Sequence, residues 1–284
     1  MLSTFLVAAL ALAAPTVAYD TTFAVPRDAR IHLQDLNGSV EVRTWDRDAV
    51  RITVDTRAGD RIEVRTVGSA VNIKAVGRFG LPRSVDYVVT IPARAALRVT
   101  GPFSEVSVVG AGGDVFVETV RGDVHVRGGA GIIELRSVQG ELVLEDARGS
   151  IFLAGVNEGI RASRVSGPIR VETVNGEIRL ERIDSGDVVA STVNGAVSYQ
   201  GVIRDDGRYS LTTHNGSVTI DIPDGTNATL SVSTFNGVVD FGLPVALTDF
   251  RRGERFNVTL GRGTARIDLE SFNGAIRIRR STNL

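Results

Sequence analysis

The chain has 284 residues, with 32 Lys and Arg against 33 Asp and Glu, and it contains no cysteine. The resulting net charge of −1 provides no basic surface for nucleic acid or for an anionic membrane. The absence of cysteine excludes disulfides, thiolate metal sites and a cysteine nucleophile, so packing alone must stabilise the fold.

Residues 1–18 (MLSTFLVAALALAAPTVA) have the pattern of a signal peptide. The run from Phe5 to Ala14 is uninterrupted and apolar, but it is shorter than the about 20 residues that a membrane span needs. The small residues Thr16 and Ala18 predict cleavage after Ala18, with an uncleaved N-terminal anchor as the alternative. No later segment is apolar enough to span a membrane, so we expect an exported protein that is periplasmic, on the outer surface or extracellular.

Residues 19–100 alternate apolar and polar side chains without a strict repeat. Such alternation is typical of β-strands with one buried face. Three prolines, Pro26, Pro82 and Pro92, divide the segment. We predict an irregular β-structured N-terminal part that caps the repeat that follows, within one continuous domain.

Residues 101–284 carry a repeat of about nine residues. Glycines fall at positions 113, 122, 131, 140, 149, 159, 167, 176, 186 and 195. Apolar residues stand two and four positions after many of these glycines, as in a strand with one buried face. Two units make a coil of about 18–21 residues, which predicts an all-β fold, a single-stranded β-helix or β-solenoid.

In a solenoid, each strand pairs with the equivalent strand one coil away, and equivalent side chains stack in columns. The predicted inner columns contain aliphatic residues: Val115, Val124, Ile151, Ile169, Ile178, Val197, Val218 and Ile276.

Asn-Gly pairs mark a longer rhythm. They are Asn37-Gly38, Asn175-Gly176, Asn194-Gly195, Asn215-Gly216, Asn236-Gly237 and Asn273-Gly274. We interpret them as one structural corner that recurs once per coil, with the last step, of 37 residues, covering nearly two coils. Because Asn-Gly is also the strongest short hairpin signal, an antiparallel meander or sandwich is the competing fold.

The repeat loosens at residues 242–263, which we expect to form either a looped-out excursion or a cover for the sheet edge.

Four stretches carry a resemblance to a known family. They are residues 36–48, which include Leu36-Asn37-Gly38 and Trp45-Asp46-Arg47-Asp48, the strand at 85–92, the serial Asn-Gly units, and the closing residues 261–274. The pattern resembles the bacterial putative-adhesin family of β-strand-repeat envelope proteins, a domain of unknown function, and the related adhesin-head β-solenoid domains. The resemblance implies a surface or periplasmic protein, and it supplies no catalytic residue.

Acidic residues raise an enzymatic alternative. Lyases and hydrolases of polysaccharides that are built on β-helices need paired acids with a basic partner. Asp205 and Asp206 stand between Arg204 and Arg208 on a predicted loop. Scattered acids are usual in a chain that is 23% charged, so we predict no catalytic residue.

The sequence contains no recognised metal-binding or cofactor-binding motif. Gly-Asp recurs at residues 113, 122 and 186, but no unit has the full calcium nonapeptide, which predicts turn aspartates. The histidines His32, His125 and His214 are far apart. We therefore expect no metal and no cofactor.

The outward columns hold the predicted binding surface. Arg161 and Arg179 are 18 residues apart and are expected to stack on one face, and Arg170 follows Gly167 as Arg179 follows Gly176. These arginines, with Asp205 and Asp206, are the candidate binding residues.

The sequence thus predicts an exported, non-enzymatic cell-envelope protein that presents a rigid solenoid surface, as an adhesin does. The expected partner is a glycan or a surface protein. The alternative is a carbohydrate-binding or polysaccharide-degrading β-helix.

Overall fold

The computed structural model describes residues 16–57, 60–77, 84–242 and 255–281. This part of the chain forms 26 β-strands and no helix, and hence none that is long and apolar enough to cross a membrane. The apolar run of the predicted signal peptide lies outside the described residues. The predicted cleavage site after Ala18 falls inside the first strand, and cleavage there stays a prediction.

The strands fall into three groups along the chain. The N-terminal strands are β1 (Thr16–Ala24), β2 (Arg30–Gln34), β3 (Asn37–Trp45), β4 (Ala49–Arg57), β5 (Arg61–Val67), β6 (Ala70–Val76), β7 (Val85–Pro92), β8 (Ala96–Gly101) and β9 (Phe103–Ala111). The central strands are β10 (Val115–Arg121), β11 (Val124–Gly128), β12 (Ala130–Gln139), β13 (Leu142–Glu145), β14 (Arg148–Ala154), β15 (Ile160–Ser166), β16 (Ile169–Asn175), β17 (Ile178–Asp184), β18 (Asp187–Asn194), β19 (Val197–Gly201), β20 (Arg208–Asn215) and β21 (Val218–Ile222). The C-terminal strands are β22 (Ala228–Asn236), β23 (Val239–Phe241), β24 (Phe256–Leu260), β25 (Ala265–Asn273) and β26 (Ile276–Arg280).

Each coil contributes one strand to each of two parallel faces. The first face runs in space through β6, β2, β8, β10, β12, β14, β16, β18, β20, β25 and β22. The second face runs through β7, β3, β9, β11, β13, β15, β17, β19, β21, β26 and β23. The predicted β-solenoid is thereby confirmed.

The core consists of stacked columns between the two faces. Val115 pairs in register with Ile133, which pairs with Ile151, a step of 18 residues per coil. All the predicted inner-column residues are buried, and none exposes more than 3% of its surface. Each such side chain contributes about 1.5–3 kcal/mol, so stability accumulates along the stack without disulfides.

The coils at both ends are stacked out of chain order. The coil β2/β3 lies between β6/β7 and β8/β9. At the other end, β25/β26 lies between β20/β21 and β22/β23. The expectation that the 37-residue step from Asn236 to Asn273 covers nearly two coils is therefore wrong. The two residues are register partners in adjacent coils, and the step between them includes β23, the antiparallel edge strand β24 and most of β25.

Antiparallel strands occur in the described residues only near the two ends. They are the pairs β1–β4, β4–β7, β5–β6 and β22–β24. The competing antiparallel meander is thus wrong for the body of the protein. Of the loosened segment 242–263, residues 256–260 cover the edge of β22, while residues 243–254 lie outside the described part. Such covers protect open sheet edges from pairing with other chains.

Candidate functional site

Each coil passes from the first face to the second at one corner, which we call the first corner. All six Asn-Gly pairs lie there. In five of the six pairs the unit is a hydroxyl residue, a variable residue, Asn and Gly, as in Thr213-His214-Asn215-Gly216, and in the sixth Asp35 stands at the hydroxyl position. This corner presents one equivalent side chain per coil along the length of the stack.

The hydroxyl residue of this unit is buried and ties neighbouring coils together. Thr213 Oγ1 donates to the carbonyl oxygen of Gly195 at 2.8 Å. Thr173, Thr192, Ser271 and Thr234 donate to equivalent carbonyls at distances between 2.9 and 3.3 Å. This column was not predicted from the sequence, although a Ser or Thr two positions before Asn was the available signal.

The glycine of the unit is required by close backbone contact. A Cβ atom on Gly195 would overlap the carbonyl oxygen of Gly176 in the preceding coil, and a Cβ on Gly216 would overlap that of Gly195. A side chain at either position would therefore collide with the backbone of the neighbouring coil.

The asparagines form a continuous amide ladder. Asn194 Nδ2 donates to Asn175 Oδ1 at 2.8 Å, and Asn215 Nδ2 donates to Asn194 Oδ1 at 2.8 Å. The ladder continues from Asn273 to Asn215 at 2.9 Å and from Asn236 to Asn273 at 3.2 Å. Each amide keeps a second N–H for another partner.

The variable residue of the unit points outward and is apolar in most coils. At the C-terminal end its column contains stacked rings. The ring centroids of His214 and Phe272 are 4.7 Å apart, those of Phe272 and Phe235 are 4.9 Å apart, and the rings of both pairs are nearly parallel, with an interplanar angle of 8°. Phe235 is 57% exposed and Phe272 is 41% exposed, beside Val238 at 63% and Val193 at 43%.

We call the four corners at residues 193–196, 214–217, 272–275 and 235–238 the aromatic corner. These residues include no Asp, Glu, Lys or Arg. The surface combines exposed ring edges with a row of amide donors and acceptors at a spacing of about 4.8 Å. Because contiguous exposed apolar surface is common at binding sites, the aromatic corner is the candidate site.

The opposite corner, where the second face returns to the first, is charged. Asp146 accepts from Arg127 Nε at 2.9 Å and pairs with Arg164. The hydrogen bonds from Arg164 and Arg127 lower the pKa of Asp146 to about 2. The backbone here is left-handed at Asp146, Arg164 and Arg182. The two corners thus differ sharply in polarity.

The predicted arginines do not form one site. Arg161 and Arg179 are register partners on the second face, one coil apart. Arg179 pairs with Glu177 at 2.8 Å. Arg170 lies on the first face and pairs with Glu172 at 2.5 Å. Binding through these arginines stays a prediction.

The acidic pair lies in the turn between β19 and β20, and both residues are exposed. Asp205 accepts from Asn227 Nδ2 at 3.1 Å and pairs with Arg262 at 2.8 Å. Arg204 is engaged by Asp184, also at 2.8 Å. Arg204 and Arg262 thus already hold carboxylates.

The Gly-Asp aspartates bind backbone amides of the next coil. Asp114 Oδ1 accepts from Ile132 N, and Asp123 Oδ1 accepts from Glu141 N, each at 2.8 Å. Within the described residues, no group of three or more His, Asp or Glu is placed to hold a metal ion.

Three solved structures are similar to this chain, each at low identity. A putative adhesin from Bacteroides fragilis is 12% identical, covers 92% of this chain and 97% of its own, and has a TM-score of 0.45. One from Parabacteroides distasonis has the same identity and coverage with a TM-score of 0.35. A putative cell adhesion protein from Clostridium sporogenes is 9% identical, covers 93% of this chain and 100% of its own, and has a TM-score of 0.26.

No curated protein matches the sequence. A family model matches residues 20–279, which include nearly every strand of the solenoid. The chain belongs to the Toastrack DUF4097 family.

Proposed function

We propose that the protein is an exported, non-enzymatic protein of the cell envelope that attaches to a surface through the aromatic corner. One observation carries this proposal. His214, Phe272 and Phe235 form an exposed stack beside an amide ladder, at four corners whose own residues include no Asp, Glu, Lys or Arg.

The solenoid holds these groups in place before any partner arrives. The rings of His214 and Phe272 belong to coils that pair with a coil on each side, and the ring of Phe235 belongs to the terminal coil, which pairs with the coil of Phe272. A rigid site of this kind loses little conformational entropy on binding, so more of the contact energy appears as affinity.

The chemistry of the corner favours an uncharged envelope glycan. The C–H groups of sugars can contact the exposed ring edges, and their hydroxyls bond to amides, which the ladder supplies at regular intervals. A surface protein is the second partner class, and protease treatment of the target distinguishes the two. Arg161 and Arg179 are proposed as additional contacts on the second face.

Two ion pairs support binding without turnover. Hydrolysis of a glycosidic bond by paired acids needs one carboxyl group as the general acid and a second as the base or nucleophile, and both must be free to contact the substrate. The carboxylates of Asp205 and Asp184 are instead held by Arg262 and Arg204.

The proposal is tested with the purified protein, applied to a glycan array and to immobilised envelope fragments of the producing organism. Phe235→Ser and Phe272→Ser are compared with Val67→Ser, which removes an equally apolar residue that is 74% exposed on β5. We expect both phenylalanine variants to weaken binding about tenfold or more, which corresponds to about 1.4 kcal/mol.

Val67→Ser should bind like the parent, and circular dichroism should be unchanged in all three variants. Equal losses in all three, or no loss in any, would overturn the assignment of the site. Binding to envelope fragments that protease treatment abolishes, with no glycan bound, would replace the glycan by a surface protein.

A further inference from the structure

The outer side of the first face carries a second feature, at the N-terminal end of the stack. A trough with a volume of about 520 Å³ crosses β6, β2, β8, β10 and β12. It runs along the solenoid axis, across the strands, and spans roughly 19 Å at the usual strand spacing. The small side chains of Ala70 and Ala96 form part of the trough floor, whereas Arg30 and Arg98, which also line the trough, carry long side chains.

Two arginines in this trough lack a carboxylate partner among the described residues. Arg30 and Arg98 both line it, and neither takes part in an ion pair within that part of the chain. The guanidinium carbon of Arg98 lies 3.8 Å from the ring centroid of Phe116, which holds the cation over the trough floor.

The acids of the trough, in contrast, are already engaged. Glu134 pairs with Arg136 at 2.5 Å, and Asp114 accepts the backbone N–H of Ile132 at 2.8 Å. The positive charges are therefore the ones left for a ligand. An arginine fork is suited to binding a carboxylate through two hydrogen bonds.

The remaining polar groups are neutral and fit hydroxyls. Asn72 lines the trough next to His32, whose Nε2 lies 3.3 Å from Thr100 Oγ1. Burial, together with the charge of Arg98, lowers the pKa of His32, so its ring is neutral at pH 7. A neutral imidazole and an amide each offer both a donor and an acceptor.

We propose that this trough binds a linear saccharide that carries carboxylate groups, such as an oligouronate, with Arg98 and Arg30 as the anion contacts. A peptide bound to a β-protein usually adds a strand at a sheet edge. This trough crosses five strands whose backbone groups are already paired, so recognition must come from side chains and suits a chain of hydroxyls and carboxylates. The inference concerns a different surface from the aromatic corner and goes beyond the proposed function.

The test is calorimetric titration of the purified protein with tetragalacturonate. Maltotetraose, galacturonate monomer and a tetraglutamate peptide serve as the comparison ligands. Arg98→Ala and Arg30→Ala are compared with Arg170→Ala, which removes the same charge from the same face outside the trough. Arg98→Gln is a second variant at the same position, in case Arg98→Ala disturbs folding.

We expect tetragalacturonate to bind, maltotetraose and the monomer to bind at least about tenfold more weakly, and the trough variants to lose about tenfold in affinity. Arg170→Ala and Phe235→Ser should leave this binding unchanged.

An equal loss with Arg170→Ala would mean that only overall charge matters and would overturn the site. Tetraglutamate binding as tightly as tetragalacturonate would overturn the saccharide assignment. If none of the ligands binds, the inference is overturned. Adhesion through the aromatic corner is unaffected by that result, because Phe235→Ser tests it separately.

Discussion

Asn273 donates its side-chain amide to Asn215, 58 residues earlier in the chain, at an Nδ2···Oδ1 distance of 2.9 Å. Asn236 bonds to Asn273 from the other side at 3.2 Å. The last coil of the sequence is therefore the one that joins the end of the solenoid to its body. Without it, β22 would have no parallel partner in the described structure.

This order of coils can be tested with engineered cysteines, because the chain has none of its own. The pair Asn215→Cys and Asn273→Cys should form a disulfide under mild oxidation, since neighbouring strands lie about 4.8 Å apart, within the usual Cα separation of a disulfide. The pair Asn215→Cys and Asn236→Cys lies two coils apart, about 10 Å, and should stay reduced. Mobility on non-reducing gels reads out the result, and the reverse pattern would place the coils in simple chain order.

The hydroxyl column should contribute measurably to stability. Thr213→Val removes the donor to the Gly195 carbonyl while nearly keeping the volume, and should cost about 1–3 kcal/mol because a buried acceptor loses its partner. Thr213→Ser retains the hydroxyl and serves as the control. Urea unfolding measures both, and equal stabilities of the Val and Ser variants would show that the hydrogen bond contributes nothing.

The close approach of coils at the first corner makes a methyl group intolerable there. Gly195→Ala should destabilise the protein by about 3 kcal/mol or more, because the new Cβ meets the backbone of Gly176. In Gly186→Ala the methyl group would meet only the side chain of Arg204, so a small change is expected. Thermal unfolding of the two variants compares these effects, and similar melting temperatures would contradict the packing described.

Asp35 occupies the hydroxyl position in the coil β2/β3 and is buried. Ser104 Oγ donates to its Oδ2 at 2.6 Å, whereas Oδ1 and the hydroxyl of Tyr87 have no hydrogen-bond partner in the described structure. Burial raises the pKa of Asp35 above its ordinary value of 3.8. The folded state therefore holds the carboxyl proton of Asp35 more tightly than the unfolded state does. The contribution of Asp35 to stability is full below the ordinary pKa and falls as the pH rises from the ordinary pKa through the raised one.

Asp35→Asn removes this buried charge and should raise stability at pH 7 by about 1 kcal/mol. The variant should also lose the part of the pH dependence that lies between the ordinary and the raised pKa. Melting temperatures between pH 4 and 8 provide the measurement. A variant that is less stable than the parent at pH 7 would show that the carboxylate is favourable where it lies.

The inner columns were predictable because a buried position recurs at a fixed distance from each glycine, as at Ile178. The opposite faces of Arg170 and Arg179 were also implicit, since one nine-residue unit is half a coil. The order of the last coils was not predictable, because the steps from Asn194 to Asn215 and from Asn215 to Asn236 are alike in the sequence. Only the docking of β25 between β20 and β22 distinguishes them.

The same limit applies to the aromatic corner. Phe235 and Phe272 are 37 residues apart, and Phe272 and His214 are farther still, so no local pattern brings the three rings together. Their contact follows from the insertion of the last coil. The hydroxyl column, in contrast, is predictable from the sequence, because a Ser or Thr stands two positions before the Asn of every Asn-Gly pair in residues 101–284.

Site-specific labelling tests the proposed binding surface most directly. A single cysteine is placed at Val193, in the aromatic corner, or at Val67, which is equally apolar and exposed on β5. Maleimide labelling is then timed with and without saturating glycan or envelope fragments. We expect the bound partner to slow labelling at position 193 at least about tenfold and to leave position 67 unchanged, whereas equal labelling rates at position 193 in the free and bound states would contradict binding at the aromatic corner.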